Sequence, residues 1–382
     1  MQLNETQCQV RDVTRRFVDE VIRPVAGELD QTEAFPQDIY DEMAALGLFG
    51  ICVPEQRGGP GMDVLSYAIV MEELSRGYAS VADQCGLVEL VSSLLVEHGT
   101  EAQQAQWLEE VLHVRKRVAY CITEPEAGTD VSGIRTLAVR KGDGWVLNGG
   151  KIWIHNAPVA DMGVVLARTD PEAGHRGMSI FIVDLHTNGV SRGKKEKKMG
   201  QCASPVGALH FDNVNLGSDA LLGVEGRGFH MMMSVLDKGR VGIGALAVGI
   251  GQAGLEAAVA QAEQRKQFGK SISDFQGVQW LLADIATDVE AARLLVRSAA
   301  YQMDQGKTAT RQCSMAKCFA GDMAVKRSAD ALQVFGGSGY IKGFEVERLY
   351  RDAKITQIYE GTNQIQRMII ARDLMKNGAQ AQ

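Results

Sequence analysis

The spacing of apolar residues divides the chain into helical ends and a β-rich middle. Between Val10 and Val21 apolar residues recur every three or four positions, which predicts an amphipathic helix followed by Pro24. A second helix is predicted from near Pro36 to Gly47, and the glycine-rich stretch 58–61 predicts a loop. Residues 1–117 are therefore expected to be helical.

The middle of the chain has short β-rich segments separated by turn residues. The turns are predicted at Gly142–Gly144 and Asn148–Gly150. Because no helix intervenes between the segments, they favour an antiparallel sheet or barrel over a parallel α/β sheet. The predicted strands are Val118–Ile122, Trp145–Leu147, Lys151–Ile154, Val164–Leu166 and Met178–Val183.

The last part of the chain returns to helical spacing. From Gly226 onwards the pattern predicts long helices broken near Gly269, Gly306 and Gly336. The resulting fold class is α+β, with an N-terminal all-α domain (1–117), a central antiparallel barrel-like β-domain (118–225) and a C-terminal helical bundle (226–382).

Composition narrows the function classes. The chain has 382 residues and a formal net charge of -7, which argues against a nucleic-acid partner because phosphate binding needs a basic face. Its seven scattered cysteines show no zinc spacing and fit a reducing compartment. The polar N-terminus has no signal-peptide pattern, and no apolar run is expected to span a membrane. A cytoplasmic protein is predicted.

The stretch Gly249–Gly254 matches the dinucleotide fingerprint GxGxxG. That fingerprint requires a preceding strand and a following helix, whereas this copy lies inside a predicted helix from about Phe229 to Gln267. Small residues that allow close helix packing explain the stretch better, and a Rossmann fold is rejected.

Two segments of the β-rich region carry candidate binding groups. Tyr120–Asp130 runs from a strand into a glycine-containing loop, which suits either a phosphate or ring-binding loop or an ordinary β-turn. Trp153–Asn156 places an aromatic ring beside polar groups, although a tryptophan at such a position is by default a core residue. Three further segments have structural explanations: Arg265–Lys270 as a basic helix end, Gln333–Gly337 as a glycine-terminated helix end, and Lys194–Lys198 as a solvated loop.

The segment Ile358–Arg367 is the strongest candidate for chemistry. Glu360 precedes Gly361, where the backbone can approach a ligand closely, and hydroxyl and amide side chains follow. A carboxylate with polar positioning groups is what proton abstraction beside a carbonyl requires.

Five motifs occur in one order along the chain: TEPEAGTD (123–130), KIWI (151–154), RKQFG (265–269), QVFGG (333–337) and YEGT (359–362). Together with the helical–β–helical order they resemble the acyl-CoA dehydrogenase family over essentially the whole chain. The resemblance implies an FAD enzyme that degrades fatty or carboxylic acids, usually as a homotetramer, with FAD between the β-domain and the C-terminal helices.

The resemblance also assigns roles by position. Tyr120, Ile122, Thr123, Gly128 and Thr129 would line the flavin or the adjoining thioester, Trp153 would cover the ring, and His155 would face it. The cofactor's ADP half would contact Arg265, Gln267, Phe268, Gln276, Gln333, Gly336 and Gly337, with Thr362 and Gln364 completing that site. Asp237, Arg240, Gly361 and Arg372, with Thr129, match positions near the acyl-CoA.

Glu360 matches the family's catalytic base. The resemblance implies that it removes the α-proton of a thioester while a hydride leaves the β-carbon for the flavin, and that the electrons pass to an electron-transfer flavoprotein. Some members carry the base just before Arg240, but this chain has Gly239 there. The stretch 237–244 resembles the short-chain and short-branched-chain subgroup, so a short, branched or cyclic acyl group is expected.

Two departures leave alternatives open. The family usually has threonine or serine at His155, where the imidazole either donates the same hydrogen bond or tunes the flavin for another substrate or reaction. In relatives, the corresponding helix forms the floor of the acyl pocket. In this chain the helix carries Asp83, Gln84 and Glu89, which either polarise the pocket or, as we favour, face solvent. A same-fold oxidase or eliminase and a catalytically idle binding protein are the rival functions.

Overall fold

A computed structural model describes residues 2–379 of the chain. The N-terminal helices are α1 (Glu5–Phe17), α2 (Arg23–Thr32), α3 (Gln37–Ala45), α4 (Val64–Gly77), α5 (Ala79–His98) and α6 (Glu101–Leu112). The strands are β1 (Val118–Cys121), β2 (Leu137–Lys141), β3 (Gly144–His155), β4 (Met162–Arg168), β5 (Met178–Asp184), β6 (Val190–Arg192), β7 (Val206–Leu216) and β8 (Leu221–Leu222). The C-terminal region contains α7 (Gly228–Gln264), the short strands β9 (Lys266–Gln267) and β10 (Lys270–Ser271), and α8 (Gln276–Asp304), α9 (Thr310–Phe335), α10 (Glu345–Ala353) and α11 (Asn363–Asn377).

This order confirms the predicted α+β class: an N-terminal helical domain, a middle β-domain and a C-terminal helical domain. Pro24 does not end the first helical segment. A π-helical turn (Val18–Ile22) joins α1 to α2, and Pro24 lies directly after it, in the first turn of α2.

The middle domain is one eight-stranded sheet in the order β6-β7-β3-β2-β4-β5-β8, with β1 pairing against β4. Most pairs are antiparallel, as predicted, but β1 and β2 both run parallel to β4. Gly142 turns the chain between β2 and β3 with φ 62°, which confirms that predicted turn. The turn predicted at Asn148–Gly150 is wrong: β3 continues through it, and a register shift between Leu147 and Gly149 absorbs the irregularity.

Helix α7 is the central helix of the C-terminal domain and packs on α4, α8 and α9. Its glycines support the packing explanation of the GxGxxG match. A methyl group at Gly249 would lie 1.9 Å from Ser75 Oγ and 2.2 Å from Glu72 O on α4. At Gly251 it would lie 2.9 Å from Met323 Sδ on α9. Side chains are therefore excluded because neighbouring helices approach closely.

Two helices contain longer apolar stretches than expected. By length and composition α5 and α7 could each cross a membrane, contrary to the expectation that no apolar run is long enough. Their apolar windows are 83% and 67% buried inside the protein. Core helices of large domains pass the same test, and packing against α4 explains both here.

Candidate active site

The site is built around a tight turn between α10 and α11. Glu360 adopts φ 55° and Gly361 φ 86°, two consecutive left-handed residues, and Thr362 then caps α11 by accepting a hydrogen bond from Ile365 N. Gln366 Nε2 donates to the carbonyls of Glu360 (3.1 Å) and Gly361 (3.0 Å). A left-handed glutamate is uncommon, so these bonds hold a conformation that the residue would otherwise avoid.

A buried lysine also holds the turn. Lys317, on α9, is fully buried, and its Nζ donates to Gly361 O at 2.8 Å and to Asn363 Oδ1 at 3.0 Å. Burial lowers the pKa of Lys317 to about 8, against the opposing effect of the Glu360 carboxylate. Lys317 therefore positions the backbone carbonyl of Gly361 and the side chain of Asn363, and places a positive charge near Glu360.

The side chain of Glu360 lies against Gly239 of α7. A methyl group at Gly239 would lie 2.8 Å from Glu360 Oε2 and 3.2 Å from Leu90 Cδ2. Oε2 is buried and has no hydrogen-bond partner within residues 2–379. A buried carboxylate oxygen without a partner is costly, and such groups are typical of sites that receive a ligand.

The electrostatic environment makes Glu360 suited to proton transfer. Burial raises the pKa of Glu360 from 4.5 to about 7, while Arg240 and Lys317 act to lower it and Asp83 to raise it. A base whose pKa lies near the working pH combines a populated anionic form with sufficient proton affinity.

Arg240, the residue after Gly239, is held by an acidic partner one helical turn earlier on α7. Its Nη1 donates to Asp237 Oδ1 at 2.6 Å, and Thr310 Oγ1 donates to Asp237 Oδ2 at 2.5 Å. Arg240 is buried, whereas Arg372, which was also expected near the acyl-CoA, is exposed on α11.

On the β-domain side, β1 and the segment after it contribute three of the expected residues. Tyr120 is partly buried, and its hydroxyl donates to Met232 O on α7 at 3.1 Å. Burial, and then Glu360, raise the pKa of Tyr120 well above 10, which places this ring in the same region as the carboxylate. The carbonyls of Ile122 and Thr123 accept from Lys151 Nζ and Ile152 N on β3. Gly128 and Thr129 are exposed in the loop that follows.

The end of β3 has an unusual backbone. Trp153 and Asn156 have φ values of 59° and 63°, and the pairing with β7 shifts between Lys151 and Ile154. Trp153 is 60% exposed, so its default interpretation as a core residue is wrong. The irregularity turns the indole outward while Ile154 remains in the core, a common effect of bulges beside functional sites. Asn156 Nδ2 anchors the strand end by donating to Gln84 Oε1 (2.9 Å) and Val118 O (3.1 Å).

His155 lies between these residues and faces α5. Its Nδ1 is 3.2 Å from Asp83 Oδ2, and the two side chains are only 17% and 14% exposed. Its Nε2 is buried and lacks a hydrogen-bond partner among the residues the structure describes.

The polar residues of α5 do not face solvent, which corrects the favoured expectation. Gln84 and Glu89 are fully buried and Asp83 is mostly buried. Glu89 lies 3.3 Å from Lys238 Nζ and accepts from Cys52 N at 3.3 Å, while Lys238 also donates to Ser93 Oγ. Sequence spacing could not show this, because α5 is packed on nearly every side and lacks a solvent face to set the register.

The residues assigned to the cofactor's far half lie at the surface. Phe268 is 94% exposed at the tip of the β9–β10 hairpin. Also exposed, at helix ends or in adjoining loops, are Arg265, Gln267, Gln276, Gln333, Gly336, Gly337 and Gln364. The basic loop Lys194–Lys198 is less solvated than expected, because Lys195 pairs with Glu33 and Lys198 Nζ donates to Gln201 O.

These features fit an aromatic, polar-edged cofactor such as FAD. Two buried polar atoms, Glu360 Oε2 and His155 Nε2, lack partners within the described part of the chain, and the exposed rings of Trp153 and Phe268 offer stacking surfaces. Thr123, Gly128 and Thr129 are open enough to contact a ligand.

Comparison with known proteins identifies the class. Three family models match: the acyl-CoA dehydrogenase N-terminal domain at 4–114, the middle domain at 119–214 and the C-terminal domain at 226–375. The protein is thus an oxidoreductase that acts on acyl-CoA. The chain belongs to the acyl-CoA dehydrogenase family, as its motifs predicted.

Individual relatives cover almost the whole chain. The caffeyl-CoA reductase-Etf complex subunit CarC of Acetobacterium woodii is 42% identical over 98% of this chain and 100% of its own. Butyryl-CoA dehydrogenase from Megasphaera elsdenii is similar in structure, with a TM-score of 0.95 and 39% identity over 98% of this chain and 99% of its own. The FAD complex of PigA has a TM-score of 0.93 at 28% identity, covering 98% of this chain and 99% of its own. The predicted cofactor, FAD, is confirmed for the family.

Proposed function

We propose that this protein catalyses the FAD-dependent α,β-dehydrogenation of a short, branched or cyclic acyl-CoA to the 2-enoyl-CoA, with Glu360 as the base. The observation that carries the proposal is the carboxylate of Glu360: buried, without a partner for Oε2 within residues 2–379, and with a pKa raised to about 7. It lies in a turn held by Lys317 and Gln366 at the junction of α7, α9 and α11.

Several residues of the chain have distinct roles in the proposed reaction. Glu360 takes the α-proton, because its pKa is high enough for a base and its Oε2 has no competing partner among the described residues. Lys317 fixes the turn and, with Arg240, supplies positive charge that offsets the negative charge of the carboxylate. Tyr120, Trp153 and His155 would hold FAD, which when bound supplies the hydride acceptor.

The wider assignments are part of the same proposal. Electrons would pass to an electron-transfer flavoprotein, since the relative from Acetobacterium woodii is named as part of a complex with Etf. The exposed residues Arg265, Phe268 and Gln333 would contact the cofactor's ADP half from a neighbouring subunit of a homotetramer in the cytoplasm.

Glu360→Gln tests the base directly. The substitution keeps the shape of the side chain, so we expect normal FAD content and normal perturbation of the flavin spectrum by butyryl-CoA. Anaerobic bleaching of the flavin should slow by at least about a thousandfold, consistent with removal of a general base. A Glu360→Gln enzyme that bleaches at the wild-type rate would disprove the assignment.

A second candidate is the same reaction in the opposite direction, the reduction of an aryl-substituted enoyl-CoA. Two relatives that are each 42% identical are named 3-(aryl)acrylate reductase and caffeyl-CoA reductase-Etf complex subunit CarC. With a pKa near 7, Glu360 is also able to deliver the α-proton. Mixing chemically reduced enzyme with cinnamoyl-CoA tests this direction: rapid flavin reoxidation supports it, and no reoxidation excludes it.

A further inference from the structure

A second acid–base pair, formed by Asp83 and His155, is close enough to Glu360 for Asp83 to affect its ionisation. Asp83, on α5, and His155, at the end of β3, approach to 3.2 Å between Oδ2 and Nδ1. Ser204 Oγ donates to the same Asp83 oxygen at 2.9 Å, which fixes the carboxylate from a third segment. Asp83 also raises the pKa of Glu360 and of Tyr359, so the pair lies near the turn that carries the base.

The backbone holds the imidazole in place from both sides. Trp153 and Asn156 are left-handed, and Asn156 is tied to Gln84 on α5 and to Pro205 O. A strand end held this firmly gives His155 little freedom to turn away from Asp83. Its Nε2 is nonetheless buried and has no hydrogen-bond partner in the described part of the chain.

Asp83 determines whether Nε2 of His155 donates or accepts a hydrogen bond. A carboxylate beside Nδ1 favours the tautomer that carries the hydrogen on Nδ1, and this leaves a lone pair on Nε2. Burial lowers the pKa of His155, Asp83 opposes that effect and Lys198 adds to it, so the ring is neutral at pH 7. The other ionisable groups coupled to Asp83 are Tyr40, Lys198, Tyr359 and Glu360.

We infer that Asp83 positions His155 so that Nε2 accepts a hydrogen bond from an N–H or O–H group of the ligand that occupies this site. The inference rests on the proposed function for the location of the ligand. The donor is either a ring N–H of the cofactor or a hydroxyl on the acyl group, and both present the same chemistry to Nε2. Asp83 acts through His155, which makes it a positioning residue.

The two decisive variants are His155→Phe, which removes both ring nitrogens, and Asp83→Asn. The second is nearly isosteric but neutral: it removes the carboxylate charge that favours the hydrogen on Nδ1 and offers Nδ1 an amide N–H, which favours the hydrogen on Nε2 and weakens Nε2 as an acceptor. A purely structural role for Asp83 would tolerate this change. His186→Phe is the matched control, because His186 also pairs with an aspartate, Asp161 at 3.0 Å, but is 58% exposed.

One experiment tests whether the cofactor provides the donor, by measuring the reduction potential of the flavin. The reduction potential of the FAD-loaded enzyme without acyl-CoA is recorded from pH 6 to 8. If the cofactor provides the donor, both variants shift its redox equilibrium about tenfold or more, or about 30 mV for a two-electron couple. The control keeps the wild-type curve.

The other experiment tests whether the acyl group provides the donor. The affinities for butyryl-CoA and 4-hydroxybutyryl-CoA are measured by titration, with the flavin spectrum as the signal. If a hydroxyl provides the donor, both variants lose about tenfold in affinity for the hydroxylated ligand and less than twofold for butyryl-CoA, as expected for one hydrogen bond. The inference is overturned if neither experiment responds, or if Asp83→Asn behaves as wild type in both. Bleaching of the wild-type flavin by butyryl-CoA tests the proposed function separately.

Discussion

Gly239 and Glu360 are complementary: the carboxylate of one occupies the space that a side chain on the other would fill. Glu360 Oε2 would lie 2.8 Å from a methyl group at position 239. This contact explains why α7 has a glycine, and not a residue with a side chain, beside the carboxylate. The two positions face the same point of the site.

Gly239→Ala should therefore impair catalysis without unfolding the protein. The crowded atom is the end of a flexible side chain, so the carboxylate moves while the helices stay in place. We expect turnover to fall at least about tenfold, since small displacements of a reacting group are costly, with FAD content and Tm unchanged. Gly254→Ala, on the same helix but 3.3 Å from Ala331 Cβ, is the control and should keep full activity.

The pH dependence of activity should follow the ionisation of Glu360. Because burial raises the pKa of this carboxyl to about 7, the free enzyme holds mostly the inactive, protonated base at pH 6. The value of kcat/KM for dehydrogenation should increase through pH 7 and level off above pH 8. A profile already flat from pH 5 upwards would contradict the raised pKa.

The same pKa affects stability with a defined sign. The carboxyl has a pKa near 4.5 when unfolded and about 7 when folded, so ionisation of the unfolded chain destabilises the native state as pH rises from 4.5 to 7. The Glu360→Gln variant has no ionisable group at this position, so it does not undergo this destabilisation. Its free energy of unfolding should match that of the wild type at pH 4 and exceed it at pH 8. The upper limit of the difference is about 3 kcal/mol, which screening by solvent reduces. Denaturant titration of the holoenzyme at both values measures the difference.

Lys317→Met should raise the apparent pKa of the base further. The substitution removes a positive charge that lowers the pKa of Glu360 and both hydrogen bonds to the turn. The midpoint of the kcat/KM profile should move above pH 7, and the maximum rate should fall because the turn loosens. Lys354→Met, an exposed lysine that donates to Gln357, should leave the midpoint unchanged.

Gly249→Ala should be among the most destabilising single-methyl additions. The new methyl group would lie 2.2 Å from the backbone oxygen of Glu72, which cannot rotate away. Overpacking of this kind costs about 1–3 kcal/mol. Gly277→Ala, in the open first turn of α8, meets no atom within 4 Å and should stabilise by roughly 0.5–1 kcal/mol. Equal Tm values for the two variants would refute the close α4–α7 packing.

Local motifs made much of the fold predictable from the sequence. The helix ends near 269, 306 and 336 and the helical setting of Gly249–Gly254 depend on neighbouring residues, and the structure agrees with each. Features that depend on tertiary packing were less accessible. Gly149 looks like a turn residue but lies within β3, and Trp153 looks like a core residue but is exposed because of an irregularity that only the pairing with β7 reveals.

The same distinction applies to the candidate site. Glu360 and its turn lie within one short motif, whereas the Asp83–His155 pair joins residues 72 positions apart on different domains. Nothing in the spacing of α5 indicates that Asp83 points towards β3. The register of a helix buried on nearly all sides is set by its neighbours, which the hydrophobic pattern does not record.

The amide of Asn156 joins three segments that meet only in the folded chain: the end of β3, Gln84 on α5 and Val118 on β1. Helix α5 and the strand that carries His155 are thus not independent modules. We expect substitutions at Gln84 that broaden substrate range, whether in nature or in laboratory selection, to alter the behaviour of the bound flavin at the same time. An engineered change of substrate range would therefore require a second substitution that restores the properties of the flavin.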